Sequence, residues 1–246
     1  MTNEVERIYT WWFDSSLIIA RYFFIAGIGY LIFYVWRTKT FHKIKIQKGF
    51  PSTKMISKEI LFSVLTLLIY CGASWLVFYC RKAGMTKIYL NIDQYGWYYF
   101  IFSVMIMVIV HDAYFYWTHR LMHLPKMFKW AHQIHHHSSN PTPWAAFSFH
   151  PIEAVISIGI IPIIVFLIPS HPFALFTFLT YMTLMNVMGH LGYETFPLGF
   201  RKNTIGKWQN TSMNHNIHHQ DSHCNYGLYF TFWDRLMHTY NGKDNG

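Results

Sequence analysis

Residues His111 to His137, HDAYFYWTHRLMHLPKMFKWAHQIHHH, carry the information that decides both fold and chemistry. The stretch leaves an apolar run and then places two histidine boxes in quick succession. His119 and His123 are four apart, and His132, His135 and His136 stand at i, i+3 and i+4. On a helix each set lies along one face. Neutral imidazole is the commonest metal-binding side chain, and such spacings let two or three rings converge on one ion. A single pair is a weak signal, because histidines four apart occur by chance. A second box directly after the first is stronger. A third, His215, His218 and His219, repeats the spacing of the second far downstream.

The run that feeds the first box is long enough to cross a bilayer. Trp97 to Trp117 is apolar, and about 20 helical residues cover the hydrocarbon thickness of about 30 Å. Two similar runs precede it, Leu17 to Trp36 and Ile60 to Tyr79. Charged residues make up 13% of the 246-residue chain, about half of the roughly 25% expected of a soluble domain, which favours a membrane protein. Glu4, Glu6 and Asp14 stand among Tyr9, Trp11, Trp12 and Phe13, an aromatic cluster suited to a membrane–water interface. Arg21 lies near the outer end of the first run, where it is expected to snorkel.

Charge placement orients these spans. The net charge is +9, and the loop between the first two runs holds Arg37, Lys39, Lys43, Lys45, Lys48, Lys54 and Lys58. Basic loops stay on the cytoplasmic side, so this loop is placed inside, as a topology signal rather than a nucleic-acid site. Arg81 to Gly96 is then external, and the third span returns His119 to the cytoplasmic face. Ile152 to Ile168 and Pro172 to Leu191 read as a hairpin through the membrane, with Pro162 and Pro169 expected to kink or shorten its first arm. Its returning arm brings His190 to the same face. The expected fold is an all-α integral membrane protein. It has about four spanning helices or hairpin arms, further membrane helices, and a cytoplasmic histidine-rich cap for two metals.

Eight box imidazoles (His119, His123, His132, His135, His136, His215, His218 and His219) exceed the four of one closed site and point to two ions. His190 is a ninth candidate, with Asn186 one turn before it to support the site. Asp112 lies within about 20° of the His119 and His123 direction on a helix, the place for a carboxylate that accepts a ligand's free ring N–H. His223, His150 and Glu194 are further candidate ligands. His150-Pro151-Ile152-Glu153 also reads as a helix start. His111 lies one residue off the stripe, and His137 points away from His136. Cys71, Cys80 and Cys224 show no C-x-x-C spacing and read as packing residues. No E-x-x-H motif supports a carboxylate-rich di-iron bundle.

The order HX3H, HX2HH, a histidine after an apolar hairpin, and a final HX2HH resembles the fatty acid hydroxylase superfamily. The segments DAYFYWTHRLMH, PWAAFSFHPIE, GHLGYE and NHNIHHQ followed by NYG resemble its sterol desaturase branch, which includes C-5 sterol desaturases. The likeness covers roughly Tyr98 to Tyr240. It implies that residues 97–246 form the catalytic domain and residues 1–96 a membrane region with two spans. It also implies a di-iron, O2-dependent oxidoreductase that hydroxylates or desaturates a lipid drawn from the bilayer. The eight box histidines and His190 are then the ligands, and zinc is able to take the place of iron. Some members carry a histidine where Asn186 stands. Electrons must come from an external donor of cytochrome b5, ferredoxin or rubredoxin type, because no flavin or nicotinamide fingerprint is present. Two other classes fit parts of the pattern. A metal transporter or store would place polar residues within several spans, and a membrane zinc hydrolase would want a glutamate within a box, as in H-E-x-x-H.

Overall fold

Helices account for the regular structure of residues 10–242, which the computed structural model describes; Glu4, Glu6 and Tyr9 lie outside that range. Among the described residues no strand forms, only isolated bridges. Helix α1 (Trp11–Tyr30) runs on into a π-helical stretch, Leu31–Trp36. Helices α2 (Thr53–Lys82) and α3 (Gly96–Met122) follow, then two short helices, α4 (Pro125–Ala131) and α5 (Gln133–His136). The hairpin comprises α6 (Pro151–Ile158), α7 (Ile160–Leu167) and α8 (Pro172–Gly189). Helices α9 (Ser212–Gln220) and α10 (Phe232–Leu236) complete the order.

Four helical stretches are long and apolar enough to cross a membrane: Trp11–Trp36, α2, α3 and α8. Between 17% and 39% of each apolar window is buried inside the protein, and every one of the four also keeps exposed side chains. Phe24, Leu68 and Ile101 are among the large exposed ones, as lipid contact demands. The inner faces meet in two main apolar clusters. One joins Tyr22, Ala26, Tyr70, Phe147, Phe149 and Val187; the other joins Met107, Ile160, Ile164 and Phe178. Trp144, Phe147 and Phe149 therefore help to build the interior, with the Trp144 carbonyl accepting from Tyr22 and Ser63 hydroxyls at 2.8 Å.

The hairpin's first arm breaks at Gly159 rather than at a proline. Tyr114 Oη donates to the Ile156 carbonyl at 2.6 Å, and a Cβ on residue 159 would lie 2.5 Å from that hydroxyl. A side chain inserted beside a glycine ends the regular ladder there. Pro162 falls in the first turn of α7, where a missing N–H leaves no bond unmade.

Two sets of loop contacts sort the connections between the ends of the bundle. The α2–α3 connection pairs with the α7–α8 turn: Lys87 N–H donates to Val165 O and Ser170 N–H to Lys87 O. At the other end the basic loop pairs with the segment after His190. Ile46 N–H donates to Gly192 O, Glu194 N–H to Ile44 O, and Gln47 Nε2 to Ser139 O. The basic loop and the second box thus share one end, as the charge pattern requires. Gly192 (φ +74°) permits this contact, since a Cβ there would lie 2.5 Å from Tyr34 Oη.

Candidate metal centre

At the end of the bundle that carries the basic loop, nine imidazoles converge in two groups. His119, His123, His132, His136 and His218 form one, and His135, His190, His215 and His219 the other. Within each group the ligand atoms lie within 4.8 Å of one another. Helix ends deliver them. His119 is in the last turn of α3 and His123 follows that helix, while His132 sits at the break between α4 and α5. His190 follows the last residue of α8, and α9 carries the third box.

Each HX2HH box is divided between the groups, which overturns the expectation that its three rings share one face and one ion. Adjacent residues of a helix point about 100° apart, so His135 and His136 diverge, as do His218 and His219. Residues four apart stay together: His119 with His123, His132 with His136, and His215 with His219.

The ring nitrogens show what the groups are built to hold. His119 Nδ1 lies 2.8 Å from Tyr226 O, His218 Nδ1 2.7 Å from Cys224 O, and His190 Nδ1 2.8 Å from Asn186 O. A carbonyl only accepts, so each of these rings carries its proton on Nδ1 and a lone pair on Nε2. His132 Nδ1 meets Glu153 Oε1 at 2.8 Å, with both side chains buried. Facing nitrogens are then close. His119 and His132 Nε2 are 3.0 Å apart, His136 and His123 3.3 Å, His190 and His215 2.9 Å, and His190 and His135 3.1 Å. Nitrogens bound about 2.1 Å from one ion lie about 3.0–3.4 Å apart for bond angles of about 90–110°. His218 Nε2 is buried without a hydrogen-bond partner among the described residues. Converging lone pairs repel unless a cation stands between them, so the donor set fits a divalent metal in each group. Imidazole suits iron, zinc, copper and nickel alike.

Burial keeps the rings in the binding form. It pushes the imidazoles of His190 and His218 down to about 4, and His136 down to about 2 with help from neighbouring His218. His123, His132, His135, His215 and His219 are lowered for the same first reason. At neutral pH these rings are uncharged and their lone pairs available.

The supporting residues differ from those expected. Asp112 meets no ligand ring; its Oδ1 accepts the backbone N–H of Tyr229 (3.1 Å) and Phe230 (3.2 Å). It therefore anchors the loop whose Tyr226 and Cys224 carbonyls orient His119 and His218. Asp234 holds that loop from the other side, accepting Tyr226 N–H at 2.9 Å and Gly227 N–H at 2.8 Å. Asn186 supports His190 through its backbone carbonyl. Glu194 is not on the face of His190, because α8 ends at Gly189; its carboxylate instead accepts the N–H of Phe196 and of Met213 in the first turn of α9. His150 caps α6 by accepting Ile152 N–H, and His223 is exposed; neither belongs to a group. His111 Nδ1 pairs with Tyr229 Oη at 2.7 Å, and His137 is exposed. Glu153, read from sequence as part of a helix start, is the carboxylate that meets a ligand ring. No local spacing marked it, because its partner lies 21 positions away.

Comparison with known proteins agrees with this arrangement. The fatty acid hydroxylase family profile matches residues 104–239. A Delta(7)-sterol 5(6)-desaturase of Gibberella zeae is 26% identical over 215 residues, covering 87% of this chain and 64% of that protein. The lathosterol oxidases of Rattus norvegicus and Homo sapiens are 30% and 27% identical over 217 residues, covering 87% of this chain and 69% of each relative. The chain thus spans just under two thirds of the fungal relative's length and slightly more of the mammalian ones. No solved structure matches it. With the histidine order, the paired groups and more than half of the sequence in agreement, the chain belongs to the fatty acid hydroxylase family, among its sterol desaturase relatives.

Proposed function

We propose that this chain is a membrane-bound oxidoreductase that uses O2 and external electrons to hydroxylate or desaturate a lipid C–H bond. The observation that carries the reading is the pair of imidazole groups, five and four rings, at one end of a bundle built to sit in lipid. The nine histidines would hold two irons, which when bound supply the reduction of O2 and the oxidation of an unactivated carbon. Zinc would bind the same rings without that redox capacity. In hydroxylation one oxygen atom enters the C–H bond, and the other leaves as water with two electrons and two protons from outside. In desaturation two hydrogens leave neighbouring carbons and, with two electrons and two protons from outside, reduce both oxygen atoms of O2 to water.

The chain's own part is placement and exclusion of water. Carbonyls of Tyr226, Cys224 and Asn186 fix three rings, and Glu153 fixes a fourth. Phe149 packs on His135 with ring centroids 5.3 Å apart, so the membrane side of the four-ring group is apolar. That is the side from which a lipid would arrive. Residues 97–246 would form the catalytic part and residues 1–96 its membrane partner, with sterols and fatty-acyl lipids as the substrate classes. The basic loop would face the cytoplasm by the positive-inside rule and offer a docking surface to a small acidic haem or iron–sulfur donor.

Metal analysis of detergent-purified protein after iron reconstitution, followed by O2 uptake with reductant and added lipid, tests the proposal. Two irons per chain and lipid-dependent uptake are expected. One metal or none, or iron-loaded protein with no lipid-dependent uptake, would overturn it.

A further inference from the structure

Among the described residues, four rings other than histidine pack on the histidines of the two metal groups. Phe115 lies on His119, Phe128 on His123 and His136, Phe149 on His135, and Tyr226 on the five-ring group. Of the four, Tyr226 is the one readily oxidised, because its phenol oxygen donates a lone pair into the ring and phenylalanine has none to donate. Its ring centroid lies 5.1 Å from that of His123, 5.6 Å from His218 and 5.7 Å from His119.

Oxidisable rings continue outward from there. Tyr226 is 6.1 Å from Tyr116, and Tyr116 is stacked 6.1 Å from Trp233 at an interplanar angle of 23°. Trp117 closes the series, 5.9 Å from Trp233 and 5.3 Å from Tyr116. Tyr116 is fully buried, whereas Trp117 is 45% exposed. Trp117 stands about a turn and a half before the end of α3, at the metal end of the bundle. The series thus runs from ligand rings to the surface through tyrosine and tryptophan alone.

An electron that leaves a buried phenol has to be accompanied by its proton, and Tyr116 has a route for one. Its Oη is 3.0 Å from Thr239 Oγ1, and Thr239 Oγ1 donates to Asp234 Oδ1 at 2.7 Å. The single hydroxyl proton of Thr239 is committed to Asp234, so its oxygen accepts from Tyr116. Asp234 also accepts the N–H of Tyr226 and of Gly227, a set of donors that requires an ionised carboxylate. Arg120 Nη1 donates to Tyr116 Oη at 3.2 Å, which leaves the phenol proton directed at Thr239.

We propose that Tyr226, Tyr116, Trp233 and Trp117 form a path that carries oxidising equivalents from the five-ring metal group to the surface when no lipid is bound. This rests on redox metals in the groups, as in the function proposed above. Reduction of O2 to two water molecules takes four electrons, of which the external donor gives two and the lipid C–H bond the other two. Without lipid, the missing two pass inward along the path, one at a time. The metal group gains each electron and a small water-soluble enediol reductant at Trp117 loses it, releasing one proton per electron. As Tyr116 gives up its electron, its proton moves to Thr239 and the Thr239 proton to Asp234; both return when Tyr116 is refilled. Ligand histidines are thereby spared oxidation.

The test gives hydrogen peroxide and a nitroso spin trap to the detergent-purified, iron-loaded full chain without lipid, and maps the adducts by peptide mass spectrometry. Peroxide is O2 with the donor's two electrons and two protons already added, so the reaction starts where the lipid would be needed. Adducts are expected on Trp117 and Trp233, and ascorbate should suppress them. Trp130 is the control, 65% exposed at the same end of the bundle but off the path. Tyr226→Phe and Tyr116→Phe, each compared at equal iron content, should lose the tryptophan adducts, while oxidised histidine rises in the boxes. Equal labelling of Trp117 and Trp130 in the wild-type chain would overturn the proposal even where neither variant folds. So would tryptophan adducts that persist in both variants, or none on either tryptophan of the path. Labelled Trp117 in a protein without lipid-dependent O2 uptake would sink the lipid reading and leave the path standing. Lipid-dependent uptake with both tryptophans unlabelled would do the reverse.

Discussion

Glu153 offers the sharpest test of how the two groups are built, because it touches one and not the other. Its Oε1 stands 2.8 Å from His132 Nδ1, both side chains are buried, and His132 belongs to the five-ring group. Burial pushes the Glu153 carboxyl well above its usual range, so a metal on His132 is what would hold it ionised; Glu153→Gln keeps an oxygen acceptor but removes that charge. Glu153→Ala removes the acceptor, leaves a buried N–H unsatisfied and frees the ring to turn. Partners that orient a ligating histidine are worth about 10–100-fold in metal affinity, or about 1.4–2.8 kcal/mol. Glutamine should fall near the lower figure and alanine near the upper. The loss should be confined to one ion. His135, His190, His215 and His219 do not contact Glu153, and His190 keeps its own carbonyl partner. Chelator competition followed by elemental analysis should therefore show the wild-type chain holding two metals to the highest chelator concentration. The alanine variant should descend through a plateau at one. Unchanged resistance of both metals would remove Glu153 from the site. Simultaneous loss of both would show that the groups are not separate.

His135→Ala should lose the metal of the four-ring group and activity. His171→Ala should keep two metals at a stability cost of about 1 kcal/mol, because His171 caps α8 by accepting Phe173 N–H. Loss of metal from both proteins in the same elemental analysis would refute the grouping. For metal-free protein the pH dependence has a fixed sign. His190 and His218 resist protonation until about 4 in the fold and take a proton near the ordinary 6.5 when unfolded. Between those values the unfolded chain binds more protons, so stability falls as pH drops from about 6.5 to about 4, and it goes on falling below that because His136 resists protonation until about 2. A flat denaturation midpoint over that window would refute buried neutral rings. Gly192→Ala combines a positive φ with a Cβ 2.5 Å from Tyr34 Oη, and should destabilise by about 1–3 kcal/mol in thermal unfolding, with His190 the first ligand disturbed. A melting temperature equal to wild type would show that Tyr34 moves freely.

Much of this architecture is readable in the sequence because membrane spans and metal boxes are local patterns. Twenty apolar residues mean the same thing wherever they occur, and the basic residues from Arg37 to Lys58 mark one end of the bundle. Three of the observed spans start earlier or run longer than the apolar runs, while α8 stops at Gly189, two residues short of the expected Leu191. Trp11 and Thr53 begin helices whose first turns are aromatic or polar, and interfacial composition hides them from a hydropathy reading. A kink or shortening of the hairpin's first arm is expected from Pro162 and Pro169, and the arm does end just before Pro169, but it breaks at Gly159. A proline is visible in one dimension; the hydroxyl of Tyr114, 42 positions away, is not.

The residues misread around the metal groups share one physical cause: they act through partners distant in sequence or through backbone atoms. Asp112 has the right direction on α3, and direction alone assigned it to a ligand ring. What lies in that direction is the loop after α9, whose backbone N–H groups take the carboxylate while its carbonyls take the rings of His119 and His218. No side-chain pattern records a carbonyl. The division of each HX2HH box, by contrast, was readable from helix geometry alone. A three-ring face would need His135 and His136 to point the same way, and successive residues differ by about 100°. Adjacent histidines in an HH pair therefore diverge, and the simplest structure that uses both has two ions with the pair between them. The doubled histidine is thus what divides the rings into two groups, and the single His190 completes the group that has no member from the first box.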